Sequence, residues 1–177
     1  MQILAISGSA RRQSTNTALL RTLSGLAPAG VDVPVLHDLH RLPVFSPDLE
    51  GDLTPTPVTD FMGRIARADG IVISSPEYVH AIPGGLKNAI DWMVSRDEII
   101  GKPVALLHAS HRGDDVLADL RRVLGTVTDR FEEAIFARIP LISLSPGEVA
   151  EVLRRPENAD RLRAYLARFA EAIRRKA

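Results

Sequence analysis

Three short apolar runs decide what this chain can fold into. Gln2-Ile3-Leu4-Ala5-Ile6-Ser7, Gly70-Ile71-Val72-Ile73-Ser74-Ser75 and Pro103-Val104-Ala105-Leu106-Leu107-His108 carry no polar alternation. A strand with one face in water alternates. These runs therefore predict strands buried on both faces, as in a parallel sheet covered by helices. Each is followed by a polar or turn-rich loop and then by apolar residues at helical spacing. Leu19, Leu20 and Leu23 mark a helix over 14–26, and Phe61, Met62 and Ile65 mark one over 58–68. Further helices are expected over 84–96, from Asp114 or Asp115 to about Leu124, and from Pro156 along the face of Leu162, Tyr165, Leu166, Phe169 and Ile173. The alternating stretch 31–36 reads as the second strand, and 133–137 with 140–144 as a short broken fifth.

Strand and helix in strict alternation make a doubly wound parallel α/β sheet. The 177 residues suffice for one well-buried domain. In such sheets a ligand lies beyond the C-terminal ends of the strands. The site is therefore expected in three loops: 9–16, 76–83 and 110–113. The long stretch 37–57, without a clear period, reads as a surface loop. Its Leu42, Val44 and Phe45 suggest packing on something, a second subunit included.

The first loop, Gly8-Ser9-Ala10-Arg11-Arg12-Gln13-Ser14-Thr15-Asn16-Thr17, crowds hydroxyls, an amide and a guanidinium between a strand and a helix start. Free N–H groups and the helix dipole there favour an anion. Arg11 adds a fork that matches phosphate oxygens. Ser14 or Thr15 would equally serve as a plain helix cap, but capping does not need so many donors. No Gly-Lys-Ser/Thr follows, and the dinucleotide glycine spacing is missing, so a mononucleotide phosphate is the expected occupant.

Composition narrows the chemistry. Basic and acidic residues balance at 22 each, so no general attraction to nucleic acid or an anionic membrane is expected. No cysteine is present, which excludes disulfides and thiol chemistry. The histidines at 37, 40, 80, 108 and 111 lack metal-ligand spacing, so no metal site is expected. Met1 leads straight into a strand and no apolar run is long enough to cross a bilayer, so a cytoplasmic protein is expected.

The second loop carries a specific resemblance. Pro76-Glu77-Tyr78-Val79-His80-Ala81-Ile82-Pro83-Gly84-Gly85-Leu86-Lys87-Asn88-Ala89-Ile90-Asp91-Trp92 resembles the P-E-Y-N-x-x-x-P-G-x-L-K-N-A-I-D-W segment of the NADPH-dependent FMN reductase family, and 8–16 resembles its G-S-x-R-x-x-S-x-N loop. The resemblance implies a flavodoxin-like five-stranded sheet of order 2-1-3-4-5, FMN as cofactor, and NADPH or NADH as co-substrate. It implies hydride transfer to a quinone, an azo compound or another small acceptor, in a homodimer or homotetramer. Ser9, Arg11, Ser14, Thr15 and Asn16 would hold the phosphate, with Pro76, Glu77, Tyr78, Val79 and Ser110 around the ring. The flavin N5 would carry the chemistry, with no catalytic side chain. A one-electron carrier and a reductase that releases reduced FMN remain open on the same residues.

Two departures stand out. Val79 occupies the place of the family's Asn, and Ser110-His111-Arg112-Gly113-Asp114-Asp115 keeps one glycine of a glycine-rich pattern. His111 and Arg112 would meet an acidic group of substrate or cofactor, or stand solvated. His80 would donate to substrate or serve the turn. Lys87 and Asp91, four apart on a helix, are expected to pair.

Overall fold

The computed structural model describes residues 1–175. Five parallel strands form one sheet in the order β2-β1-β3-β4-β5: β1 (Ile3–Ser7), β2 (Val35–Leu36), β3 (Gly70–Ser74), β4 (Val104–His108) and β5 (Phe131–Arg138). The helices are α1 (Thr15–Gly25), α2 (Thr56–Arg67), α3 (Gly84–Asp91), α4 (Asp114–Val127), α5 (Pro146–Arg154) and α6 (Pro156–Arg174).

The lack of alternation in the central strands has a direct cause. Leu4, Ile6, Ile71, Ile73, Val104 and Leu106 point into a core with α2, α3 and α4. Ile3, Ala5, Val72, Ala105 and Leu107 point into a second core with α1, α5 and α6. Both faces are dry, so neither parity needs a polar residue. The connection after β1 runs to one side of the sheet while β3 lies on the other. The β1 and β3 loops therefore part above the sheet and leave a crevice between them.

Four details differ from the sequence expectation. The second strand shrinks to Val35–Leu36, with an isolated bridge from Gln2 to Asp32. Pro34 has no N–H for the ladder, so it splits the run. The helix from Gly84 ends at Asp91, where Met93, Val94 and Arg96 turn to bonds three residues back. The fifth strand is one piece, Phe131–Arg138, and 140–144 lies outside it. There the Ile139 and Leu141 N–H groups bond to the His108 and Ala109 carbonyls, while Pro140 has none to give, and the chain turns at Ser143 with φ +67°. Helix α5 was not expected. Its capping box, Ser145 with Glu148, is a signal that the sequence does carry.

Loop 37–57 packs on its own chain. Leu42, Phe45 and Leu49 lie against the α2–α4 core. Asn88 accepts from the Phe45 N–H and donates to the Pro43 carbonyl, and the buried Trp92 indole donates to that same carbonyl at 2.9 Å. Val44 stays exposed. Lys87 and Asp91 pair as expected.

Candidate functional site

Nine of the ten residues singled out in the sequence line one cavity of about 370 Å³ at the C-terminal end of the sheet: Ser9, Arg11, Ser14, Thr15, Asn16, Pro76, Glu77, Tyr78 and Ser110. Val79 does not. It stands almost fully exposed, outside the cavity lining. Ser75, His108, Ala109, Arg112, Gly113 and Ile142 complete the wall.

The β1 end of the cavity is built from donors. Ser14 is the N-cap of α1, its hydroxyl accepting from the Thr17 N–H at 3.2 Å. The capping role of Ser14 is thus real, and the first-turn N–H groups of Thr15 and Asn16 still have no carbonyl inside the helix. The Ser9 hydroxyl accepts from the Arg11 N–H, which folds the loop back on itself. Below it, Asn16 Oδ1 takes the buried Ser74 hydroxyl at 2.8 Å, and the Ser7 and Thr17 hydroxyls bond at 2.8 Å. These bonds fix the helix start on the ends of β1 and β3. Gly8 is required for the fit, since a Cβ there would stand 2.6 Å from Ser75 Oγ and 2.8 Å from Leu86 Cδ2. Among the described residues, no carboxylate lies within ion-pair distance of Arg11. An exposed cation, neutral hydroxyls and unpaired N–H groups together are the donor set that an anion requires.

The β3–β4 end mixes an apolar face with polar groups at its edge and is braced from a distance. Pro76, Tyr78, Ala109 and Ile142 supply the wall. The Glu77 carboxylate has a structural task besides lining the cavity. It accepts from the Val116 N–H at 3.0 Å and so caps α4, whose own N-cap, Gly113, has no side chain to do it. Tyr78 and Ala81 exchange N–H···O bonds around Val79 and His80, both with positive φ (+52° and +56°). That is a two-residue I′-type turn, which glycine and asparagine suit and a β-branched valine does not.

His80 bonds Asp115 at 2.6 Å and lies 3.9 Å from Glu77. The bond to Asp115, and then the charges of Asp115 and Glu77, raise its pKa above the ordinary histidine value. His80 is a turn residue outside the cavity lining. Glu77, His80 and Asp115 converge closely enough to hold a cation. Their bonds to one another and to Val116 already account for the arrangement.

His108 and Ile142 were missed as site residues. Buried His108 donates from Nε2 to the Arg112 carbonyl at 2.5 Å and so holds loop 110–113 down, with desolvation keeping its pKa low. A Cβ on Gly113 (φ +96°) would strike the His108 ring at 2.8 Å. The apolar run leading into His108 marked only a strand. Ile142 arrives through the turn after β5, which no local pattern announces. Ser110 Oγ accepts from the Arg112 N–H, while His111 is exposed and gives its carbonyl to Arg138.

With this geometry in view, comparison with known proteins is decisive for the family. Residues 1–131 match the model of the NADPH-dependent FMN reductase family. The chain belongs to that family. It is 37% identical over 113 residues to a quinone reductase of Escherichia coli, covering 62% of this chain and 60% of the relative. It is 38% identical over 112 residues to an NAD(P)H-dependent FMN reductase of Pseudomonas aeruginosa, with the same two coverages. The chain thus spans 60% of the length of each of these curated relatives. Among solved structures it is similar to FerB, a flavoenzyme NAD(P)H:(acceptor) oxidoreductase from Paracoccus denitrificans. The TM-score is 0.79 at 26% identity, over 98% of this chain and 97% of the other. No described helix is long and apolar enough to cross a membrane.

Proposed function

We propose that this chain is an FMN-dependent NAD(P)H oxidoreductase whose acceptor is a quinone or another small molecule. The observation that carries the reading is the division of the cavity, with an anion cradle at the β1 end and the apolar surfaces of Pro76, Tyr78, Ala109 and Ile142 at the β3–β4 end. FMN has that shape: a phosphate on a flexible tail and a flat, mostly apolar ring. In the cradle, Arg11, the hydroxyls of Ser9, Ser14 and Thr15, and the Thr15 and Asn16 N–H groups hold the phosphate. The Pro76–Tyr78 backbone, Ala109, Ser110 and Ile142 flank the ring. When bound, FMN supplies the hydride chemistry, and no side chain is assigned an acid or base role. The protein positions the two rings and leaves the Tyr78 side open for nicotinamide and acceptor in turn. The similar E. coli and Pseudomonas relatives, named for quinone and FMN reduction, support this reading.

The test is direct. Protein soaked in FMN should become a yellow complex that oxidises NADPH or NADH with a benzoquinone. A colourless product, or a yellow one inert toward quinones, azo dyes and ferricyanide alike, overturns it. A second copy is the proposed partner, on the face where loop 37–57 meets the segment after α3. Phe45 packs edge-on against Trp92 at 5.0 Å and Arg96 bonds Thr54 there, and the neighbouring Val44, Leu53 and Val94 are exposed. Sedimentation of wild type should show a dimer or tetramer, and Val44→Asp should shift it toward monomer.

A further inference from the structure

Beside the cavity, on the side away from β3, lies a second one of about 240 Å³. Arg11, Arg12, Thr17, Arg21, His37 and His40 line it, and no carboxylate does. The chain is neutral overall, so three guanidinium groups around one hollow are a local concentration of positive charge. Among the described residues, Arg11, Arg12 and Arg21 have no acidic partner. The nearest acid in sequence, Asp38, pairs with Arg41 and faces a different hollow. One phosphate in the cradle needs only Arg11 and the start of α1. Arg12, Arg21, His37 and His40 are left over from that task.

The fold explains where they stand. In the order β2-β1-β3-β4-β5, β2 and β3 flank β1. Strands lie about 4.8 Å apart, so the loops after β2 and β3 are about 10 Å apart, with the cradle between them. A dinucleotide whose nicotinamide stacks at the β3–β4 end must lead its adenosine half away along the rim. Toward α4 it meets charges that are mostly matched, Asp114 with Arg138, Asp115 with His80 and Glu77 with the Val116 N–H, and a single guanidinium, Arg112, without an acidic partner among the described residues. Toward β2 it meets the guanidinium groups. The adenosine 2′-phosphate, the group that distinguishes NADPH from NADH, is drawn to the second.

The geometry points to the hollow between α1 and the β2 loop as the 2′-phosphate subsite, with Arg12 and Arg21 as the residues that make this chain prefer NADPH. The inference rests on the oxidoreductase reading, and its test separates the two. Calorimetry on the FMN-loaded protein compares adenosine 2′,5′-bisphosphate with 5′-AMP. The bisphosphate should bind about tenfold more tightly or better, as expected for an added charge-assisted contact. In R12A/R21A that advantage should fall to within about twofold, and the kcat/KM ratio of NADPH to NADH should fall with it. Retention of FMN by the double variant is checked by dialysis.

Equal binding of the two probes to wild type, or an undiminished advantage in the double variant, overturns the subsite even if NADPH is oxidised. Loss of FMN from the double variant also overturns it, because the hollow then serves the flavin phosphate. A bisphosphate preference that vanishes in R12A/R21A, in protein that oxidises neither dinucleotide, sustains the subsite and ends the oxidoreductase reading.

Discussion

The two ends of the cavity are held in different ways. At the β1 end every support is short-range or buried: Ser14 on Thr17, Ser9 on Arg11, Ser7 on Thr17, Ser74 on Asn16. At the β3–β4 end two of the supports are bridges between loops and one is a local bond from buried His108. Glu77 reaches Val116, His80 reaches Asp115, His108 reaches the Arg112 carbonyl, and Val79 sits in a strained turn. The first end is a receptor whose donors are aimed before any ligand arrives, so little ordering cost falls on binding. The second leans on contacts that are at most partly buried outside His108, which would suit the proposed entry of nicotinamide and acceptor in turn.

The sharpest way to break this contrast is to strain the rigid end. Gly8→Val places new atoms against the side chains of Ser75 and Leu86, both buried, so room has to come from repacking them. The expected loss is about 3 kcal/mol of folding stability, read from the urea midpoint at constant m. A variant as stable as wild type would mean the β1 end yields after all. Arg11→Ala comes next. Arg11 is exposed, so folding should be untouched, while FMN affinity falls by about 2 kcal/mol, some thirtyfold, through the lost charge-assisted contact. Equilibrium dialysis against FMN measures it, and unchanged affinity would move the phosphate elsewhere.

The same contrast governs what could be read from the sequence. Central strands and the β1 loop were legible because burial on both faces and N-capping leave local patterns, while the strand order came only with the family resemblance. The residues at 9–16 fall where the pattern put them. The other end was legible only as a motif, and the motif did not say what its members do. Glu77 reads as a flavin neighbour; it lines the cavity and is also a helix cap for α4, bonded to Val116 39 residues away. Ile142 reads as strand and becomes cavity wall through a turn. Val79 reads as a flavin contact and faces solvent. Long-range bridges between loops leave no periodic trace in a chain, which is why that half had to be seen.

The braced end should respond more gently. Val79→Asn replaces a β-branched residue at φ +52° with one that tolerates the left-handed region. A gain of about 1 kcal/mol in stability is expected, measured by thermal or urea unfolding. A loss would show that the turn carries no strain and that the β3 loop is as settled as the β1 loop.

The smallest effect is a pH dependence carried by His80. The bond to Asp115, with the nearby charges of Asp115 and Glu77, raises the folded pKa above the unfolded value near 6.5. The native state therefore binds the proton more tightly than the unfolded chain. Its contribution is fully present below about pH 6.5 and is lost as pH rises through the folded pKa. The side chain is exposed and screened, so the effect on global stability is slight. It is best read locally, from the His80 ring resonance and from hydrogen exchange at Val79 and Ala81. Asp115→Asn should bring the His80 pKa back toward the ordinary value and make exchange in the turn faster at low pH, with the gap from wild type closing as pH rises. A gap that persists above the folded pKa would show that the hydrogen bond, and not the charge, closes this end of the cavity.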